Sequence, residues 1–143
     1  MKKSEILQAV WVWNETVTEF VKDRIEGHSL NVCAGKNPLC DVNLDLDPQD
    51  RSIIRGDMIN LPFEDNTFDT VVSDPPWKIG YYQRMKPFFE CVRTCKVGGK
   101  IIYNAYWIPT SKIVELKEVW IRRDSEWGNT SIISIFEKTK ESI

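Results

Sequence analysis

Thr70-Val71-Val72-Ser73 runs straight into Asp74-Pro75-Pro76-Trp77, and this junction constrains the chain more than any other stretch. The β-branched run favours a strand. Two prolines then fix φ and withhold N–H donors, so the ladder stops and the backbone leaves the sheet rigidly. That exit gathers a carboxylate (Asp74), a main-chain carbonyl (Pro75) and an aromatic plate (Trp77). Two acceptors beside a stacking surface suit a flat ring that carries an amino group. The N–H groups go to the oxygens and the ring lies on the indole. A proline-stopped strand with a core tryptophan reads the same from these four residues alone, so the surroundings decide.

The chain has 143 residues, 42% hydrophobic and 28% charged, the scale and balance of one globular domain spanning 1–143. No apolar run approaches the ~20 residues that span a bilayer. Met1-Lys2-Lys3 is not followed by a signal-peptide core, so the expected location is cytoplasmic with no membrane contact. A formal charge of −2 gives no global basic footprint, and any nucleic-acid contact must be local. The spacings of Cys33, Cys40, Cys91 and Cys95 match no common zinc pattern, and no metal is expected.

Ile6, Val10, Trp13, Val17 and Phe20 recur every three or four residues, which predicts an amphipathic helix from about Ser4 to Glu26, stopped by Gly27. The sheet core is expected over about 30–138. Leu30–Ala34, Val42–Leu46, Ser52–Arg55 and Asp69–Ser73 read as successive strands ended by Gly35, Asp47-Pro48, Gly56-Asp57 and the proline motif. Pro87 suits the first position of a helix carrying Phe88, Phe89, Val92 and Cys95. Gly98-Gly99 turns into a fifth strand, Lys100–Ala105. A short helical stretch near Thr110–Leu116 precedes two last strands, about Lys117–Arg123 and Thr130–Lys138, joined by Gly128-Asn129. Alternating strands and helices followed by a terminal hairpin indicate an α/β fold, mostly parallel with one reversed strand.

In this order, four stretches resemble class I S-adenosylmethionine-dependent methyltransferases. Asn31-Val32-Cys33-Ala34-Gly35 stands where that family has its glycine-containing loop. Asp45-Leu46-Asp47-Pro48 resembles the acidic end of the second strand, and Gly56-Asp57-Met58 the stretch that holds the adenine ring. Lys96-Val97-Gly98-Gly99-Lys100 resembles the turn before the fifth strand. The resemblance implies a compact Rossmann-like fold and S-adenosylmethionine as cofactor. It places Ala34, Gly35, Asp45, Asp57, Met58 and Asp74 at the cofactor, with Asp45 on the ribose ahead of its competitor Asp47. The Asp-Pro-Pro-aromatic motif is similar to that of enzymes methylating exocyclic amines of bases, chiefly adenine in DNA or RNA. That similarity makes Asp74, Pro75, Pro76 and Trp77 the catalytic set.

Ligands of an open parallel sheet collect beyond the carboxyl ends of its strands. Gly35, Asp45, Asp57 and Asp74 all stand at such ends. The sequence departs from the family where only Gly35–Asp41 separates two strands, too short for a crossover helix. A parallel return remains feasible, because seven extended residues reach ~23–25 Å and a four-residue strand spans only ~13 Å. Several crossover helices are therefore shortened or absent, and no helix N-terminus is left for the cofactor's carboxylate.

Other functions share this pattern: a pruned fold that binds cofactor or partner without turnover, or a methyltransferase for a small molecule or protein amide. Arg84, Lys86, Arg93 and Lys96 form a local basic cluster that would favour a polyanion. Missing crossover helices and six tryptophans, Trp11 and Trp13 among them, imply more apolar surface than one copy buries. A homodimer, or a complex with another subunit, is expected.

Overall fold

The computed structural model describes residues 9–10, 17–76, 79–123 and 130–141. Within them lie the strands β1 (Ala9–Val10), β2 (Ser29–Val32), β3 (Val42–Asp45), β4 (Ile54–Arg55), β5 (Phe68–Ser73), β6 (Cys95–Ala105), β7 (Val114–Arg123) and β8 (Thr130–Lys138), and the helices α1 (Val17–Lys22) and α2 (Met85–Thr94). The strands form one sheet in the order β1-β7-β8-β6-β5-β2-β3-β4. Strands β6, β5, β2, β3 and β4 pair in parallel. Strand β8 runs antiparallel to both β6 and β7 and is the reversed strand.

Alternation along the central strands sends side chains to two cores, as period-two geometry requires. On one face Val71, Ile101 and Tyr103 pack with Phe88, Cys91 and Val92 of α2 and with Leu61 from the segment before β5. On the other, Val72, Ile102, Ile133 and Ile135 pack with Phe20 and Val21 of α1. The β2–β3 and β3–β4 connections, 33–41 and 46–53, contain no helix. Loops cover β2 and β3 in place of crossover helices.

Lys138 pins the end of the chain to this frame. Its side chain is buried, and its ammonium donates to Asn66 Oδ1 at 2.8 Å, Cys95 O at 2.8 Å and Arg93 O at 3.3 Å. Two of those acceptors are carbonyls at the C-terminal end of α2, where a cation also meets the negative pole of the helix dipole.

Of the span expected to be helical, positions 4–8 and 11–16 lie outside the described residues. Among those described, helix occupies Val17–Lys22, 23–26 is not helical, and Ala9–Val10 is extended, paired in parallel with Trp120 and Ile121 of β7. Without β1, β7 would present an open row of N–H and C=O groups. That tertiary pairing overrides a local helical pattern. Trp11 and Trp13 lie outside the described residues.

The helix expected near Thr110–Leu116 is absent. Val114 already pairs with Lys138, so cross-strand partners outweigh local preference there. Helix α2 begins at Met85, two residues before Pro87; Phe89 sits at its exposed rim, and Cys95 leaves it to begin β6. Gly98-Gly99 forms an irregularity inside β6, between the pairs Phe68–Cys95 and Thr70–Lys100, rather than a turn before it. The Gly128-Asn129 turn lies outside the described residues.

Candidate active site

Beyond the carboxyl ends of β2, β3, β4 and β5 lies a cavity of about 350 Å³. Its wall is built from Cys33, Leu44, Asp45, Leu46, Asp47, Gly56, Asp57, Met58, Asp74 and Pro76. A second cavity of about 220 Å³ adjoins it toward α1, sharing Cys33 and Asp74 and adding Thr18, Asn31, Ala34, Asn37, Ser73 and Asn104 among others. Four carboxylates and no cation line the first cavity, a charge balance that suits a cationic ligand.

Asp45 ends β3 with both carboxylate oxygens engaged. Gly35 N–H donates to Oδ1 at 3.1 Å and Asp47 N–H to Oδ2 at 3.0 Å. Each oxygen keeps a lone pair, so the carboxylate is aimed and still able to accept two hydroxyls, as a ribose would present. Gly35 itself stands outside the lining of both cavities and acts through this bond. Its φ of +61° requires glycine at low cost. Cys33, just before, holds φ +64° with a side chain, and its thiol lies 3.5 Å from Met58 Sδ. Burial, reinforced by Asp45, Asp74 and Asp57, pushes the Cys33 thiol up to about 12 and keeps it neutral.

Asp57 caps its own turn through Ile59 N–H at 3.1 Å, and its carboxylate also faces the cavity. Gly56 carries the backbone past Leu44, whose Cγ would stand 2.9 Å from an added Cβ. A side chain at this position would push into the cavity wall. Asp47 lines the same cavity but is exposed and accepts from Gln49. Ala34 faces only the second cavity.

Asp74 is the residue common to both cavities whose chemistry is open. It is exposed as a residue, yet its carboxyl leans into the crevice. That desolvation raises its pKa above the ordinary aspartate value, opposed by a bond from Asn104 Nδ2 to Oδ1 at 3.2 Å. Pro75 is buried outside both linings, Pro76 lines the first cavity, and Trp77 lies outside the described residues.

Sequence reasoning missed Asn104 and Cys33. The signal for Asn104 was a lone amide near the end of the apolar run Ile101-Ile102-Tyr103, on the strand beside β5. Asn104 Oδ1 and Ser73 Oγ are buried at the second cavity without a partner among the described residues. Such orphaned groups await a ligand or water. With the aimed Asp45 and the acidic wall, they fit a cofactor bearing hydroxyls, an amino group and a positive sulfur. Among the described residues no group of three metal-ligating side chains gathers, and no helix is long and apolar enough to cross a membrane.

Residues 14–103 match a family model described as a methyltransferase domain. Among curated protein sequences none matches significantly. Solved structures do. The 1,6-didemethyltoxoflavin-N1-methyltransferase of Burkholderia thailandensis, solved with bound 1,6-didemethyltoxoflavin and S-adenosylhomocysteine, superposes with a TM-score of 0.69 at 9% identity, over 89% of this chain and 80% of that one. TrmN from Thermus thermophilus gives 0.60 at 16% identity, over 85% of this chain; the chain spans 47% of TrmN. The methyltransferase in complex with the Haloferax volcanii Trm112 methyltransferase activator gives 0.60 at 13% identity, over 85% and 88%. At such identities the likenesses establish the fold. The family match covers well over half of the sequence, S-adenosylmethionine is the cofactor, and the chain belongs to the methyltransferase domain family.

Proposed function

We propose that this methyltransferase modifies the exocyclic amine of a nucleic-acid base, adenine foremost. The observation that carries the reading is Asp74: a carboxylate at the wall between two cavities, with Oδ1 held by Asn104 and Oδ2 without a bond among the described residues. S-adenosylmethionine supplies an electrophilic methyl group. Asp45 would accept the ribose hydroxyls, Asp57 and Met58 would border the adenine, and Ala34 and Gly35 shape the loop that aims Asp45. An aryl amine is a poor nucleophile because its lone pair is delocalised into the ring. Asp74 Oδ2 and the Pro75 carbonyl accept its two N–H groups, which favours a pyramidal nitrogen pointed at the methyl. Pro76 borders the ring's side of the cavity, and Trp77 is the residue proposed from the sequence to stack on the ring. Transfer then depends on positioning more than on a strong base. The proton released on N-methylation passes to Asp74, whose raised basicity suits it to receive it.

A second reading, a small heterocycle as acceptor, draws support from the toxoflavin-type ligand of the Burkholderia enzyme. Incubating the protein with methyl-labelled S-adenosylmethionine and mixed RNA and single-stranded DNA, then analysing nucleosides by mass spectrometry, separates the two. Label on a base amine supports the first reading; unlabelled nucleic acid beside labelled small heterocycles sinks it.

The molecule is further proposed to work as a homodimer or with a second subunit, as the Haloferax methyltransferase does with its activator. Leu46, Ile54 and Ile59 are exposed around the β4 edge of the sheet. Light scattering reading a monomer mass at micromolar concentration would leave only a subunit of different sequence.

A further inference from the structure

Two segments leave the carboxyl ends of the adjacent parallel strands β5 and β6 and meet beside Asp74 and Asn104. One is 79–84, after the proline motif; the other is 106–110, after β6. Arg84 joins them, its guanidinium 4.2 Å from the Tyr81 ring centroid and 4.3 Å from that of Trp107. Cation–π contacts on both sides fix the two segments into one lip. On it Tyr81 and Tyr82 stand with rings 5.5 Å apart and nearly perpendicular, 68% and 91% exposed. Such exposure of large aromatic rings is costly unless something covers them.

The charge around the lip is one-sided. Positions 75–89 and 91–114 contain no acidic residue, whereas the first cavity is walled by Asp45, Asp47, Asp57 and Asp74 with no lysine or arginine in its lining. The basic cluster expected from the sequence divides in space. Arg93 is bound by Glu90 and Asp65, and Lys96 reaches Asp69, near the opposite end of β5. Arg84 and Lys86 remain on the lip side. In a chain of net charge −2, a cationic aromatic edge beside an acidic crevice is a segregated surface.

From this juxtaposition we infer that the lip of Tyr81, Tyr82 and Arg84 is a stacking platform for single-stranded nucleic acid, which it leads past Asp74. The inference rests on the amine-methylating reading for its direction, but not for its test. Bases stack on aromatic faces irrespective of sequence while nearby cations meet the phosphates, so binding is tolerant of sequence and sensitive to salt. A duplex keeps its bases inside and offers the tyrosines no face.

Fluorescence anisotropy with labelled single-stranded RNA and DNA 20-mers of mixed sequence, and the corresponding duplexes, tests this in the presence of S-adenosylhomocysteine. A single strand should bind more tightly than its duplex and lose affinity as salt rises. Tyr82→Ala, at a site too exposed to matter for folding, should weaken it roughly tenfold. Tyr82→Phe should stay within about twofold, since it keeps the ring. Absence of salt-sensitive single-strand binding, equal binding of the duplex, or an unchanged Tyr82→Ala protein would overturn the platform. So would a dimer by light scattering that Tyr82→Ala dissociates, because a second copy would then own the surface. Binding without methyl transfer would count against the proposed reaction and leave the platform standing.

Discussion

Asp74 carries two opposed demands, and they can be measured apart. To accept N–H groups it must be ionised, yet its place in the crevice disfavours charge. Burial raises its pKa and the Asn104 amide pulls it back. The nearby Cys33 and Tyr103 are pushed up by burial and stay neutral, so they add no charge of their own. With a folded pKa above the unfolded value of about 3.9, Asp74 favours folding at low pH, and that contribution is lost as pH rises through the folded pKa. Activity follows the opposite course, falling as pH drops through the same value. Asn104→Leu removes the bond that favours the carboxylate. The acid limb of the pH–rate profile, and the Asp74 carboxyl titration followed by carbon NMR, should both move to higher pH. An unmoved limb would deny Asn104 its role in setting Asp74.

At the scale of elements, Lys138 is the clearest test of how the frame holds. Lys138→Met fills the space but strips Asn66 Oδ1 and the carbonyls of Arg93 and Cys95 of their donor. Unfolding in urea should show a loss of about 1.5–3 kcal/mol, the scale of hydrogen bonds to a charged group. A variant as stable as the parent would show that water replaces the ammonium. The strand end at Ser73, the β8 span Thr130–Lys138 and the helix-free 33–41 connection were legible in the sequence. Each is governed by local chemistry: a proline stop, a run rich in β-branched residues, and a gap too short for a helix. Helix and strand were confused at 9–10 and 110–116, where periodicity was weighed alone. There the deciding partners are remote, Trp120 for Ala9 and Lys138 for Val114, and no local window contains them. The site was legible in part for the same reason. Asp45, Asp57, Met58 and Asp74 end strands or follow them, and the structure brings them to one cavity. Asn104 sits inside a strand, and only its pairing neighbour β5 gives it a role.

On the scale of the whole molecule, an acidic crevice and a cationic aromatic lip adjoin at the carboxyl edge of one sheet, and Asp74 stands where they meet. Under the proposed reading Asp45 serves the cofactor and Asp74 chiefly the acceptor, and single substitutions should separate them. The direct measurement pairs calorimetric titration of S-adenosylhomocysteine with nucleoside mass spectrometry after incubation with labelled cofactor and single-stranded nucleic acid. It is run on the parent, Asp74→Ala and Asp45→Ala proteins. Asp45→Ala should lose about 1–3 kcal/mol of cofactor binding through its lost hydrogen bonds. Asp74→Ala should bind the cofactor nearly as the parent does and leave base amines unlabelled. Normal labelling of base amines by the Asp74→Ala protein would contradict the account.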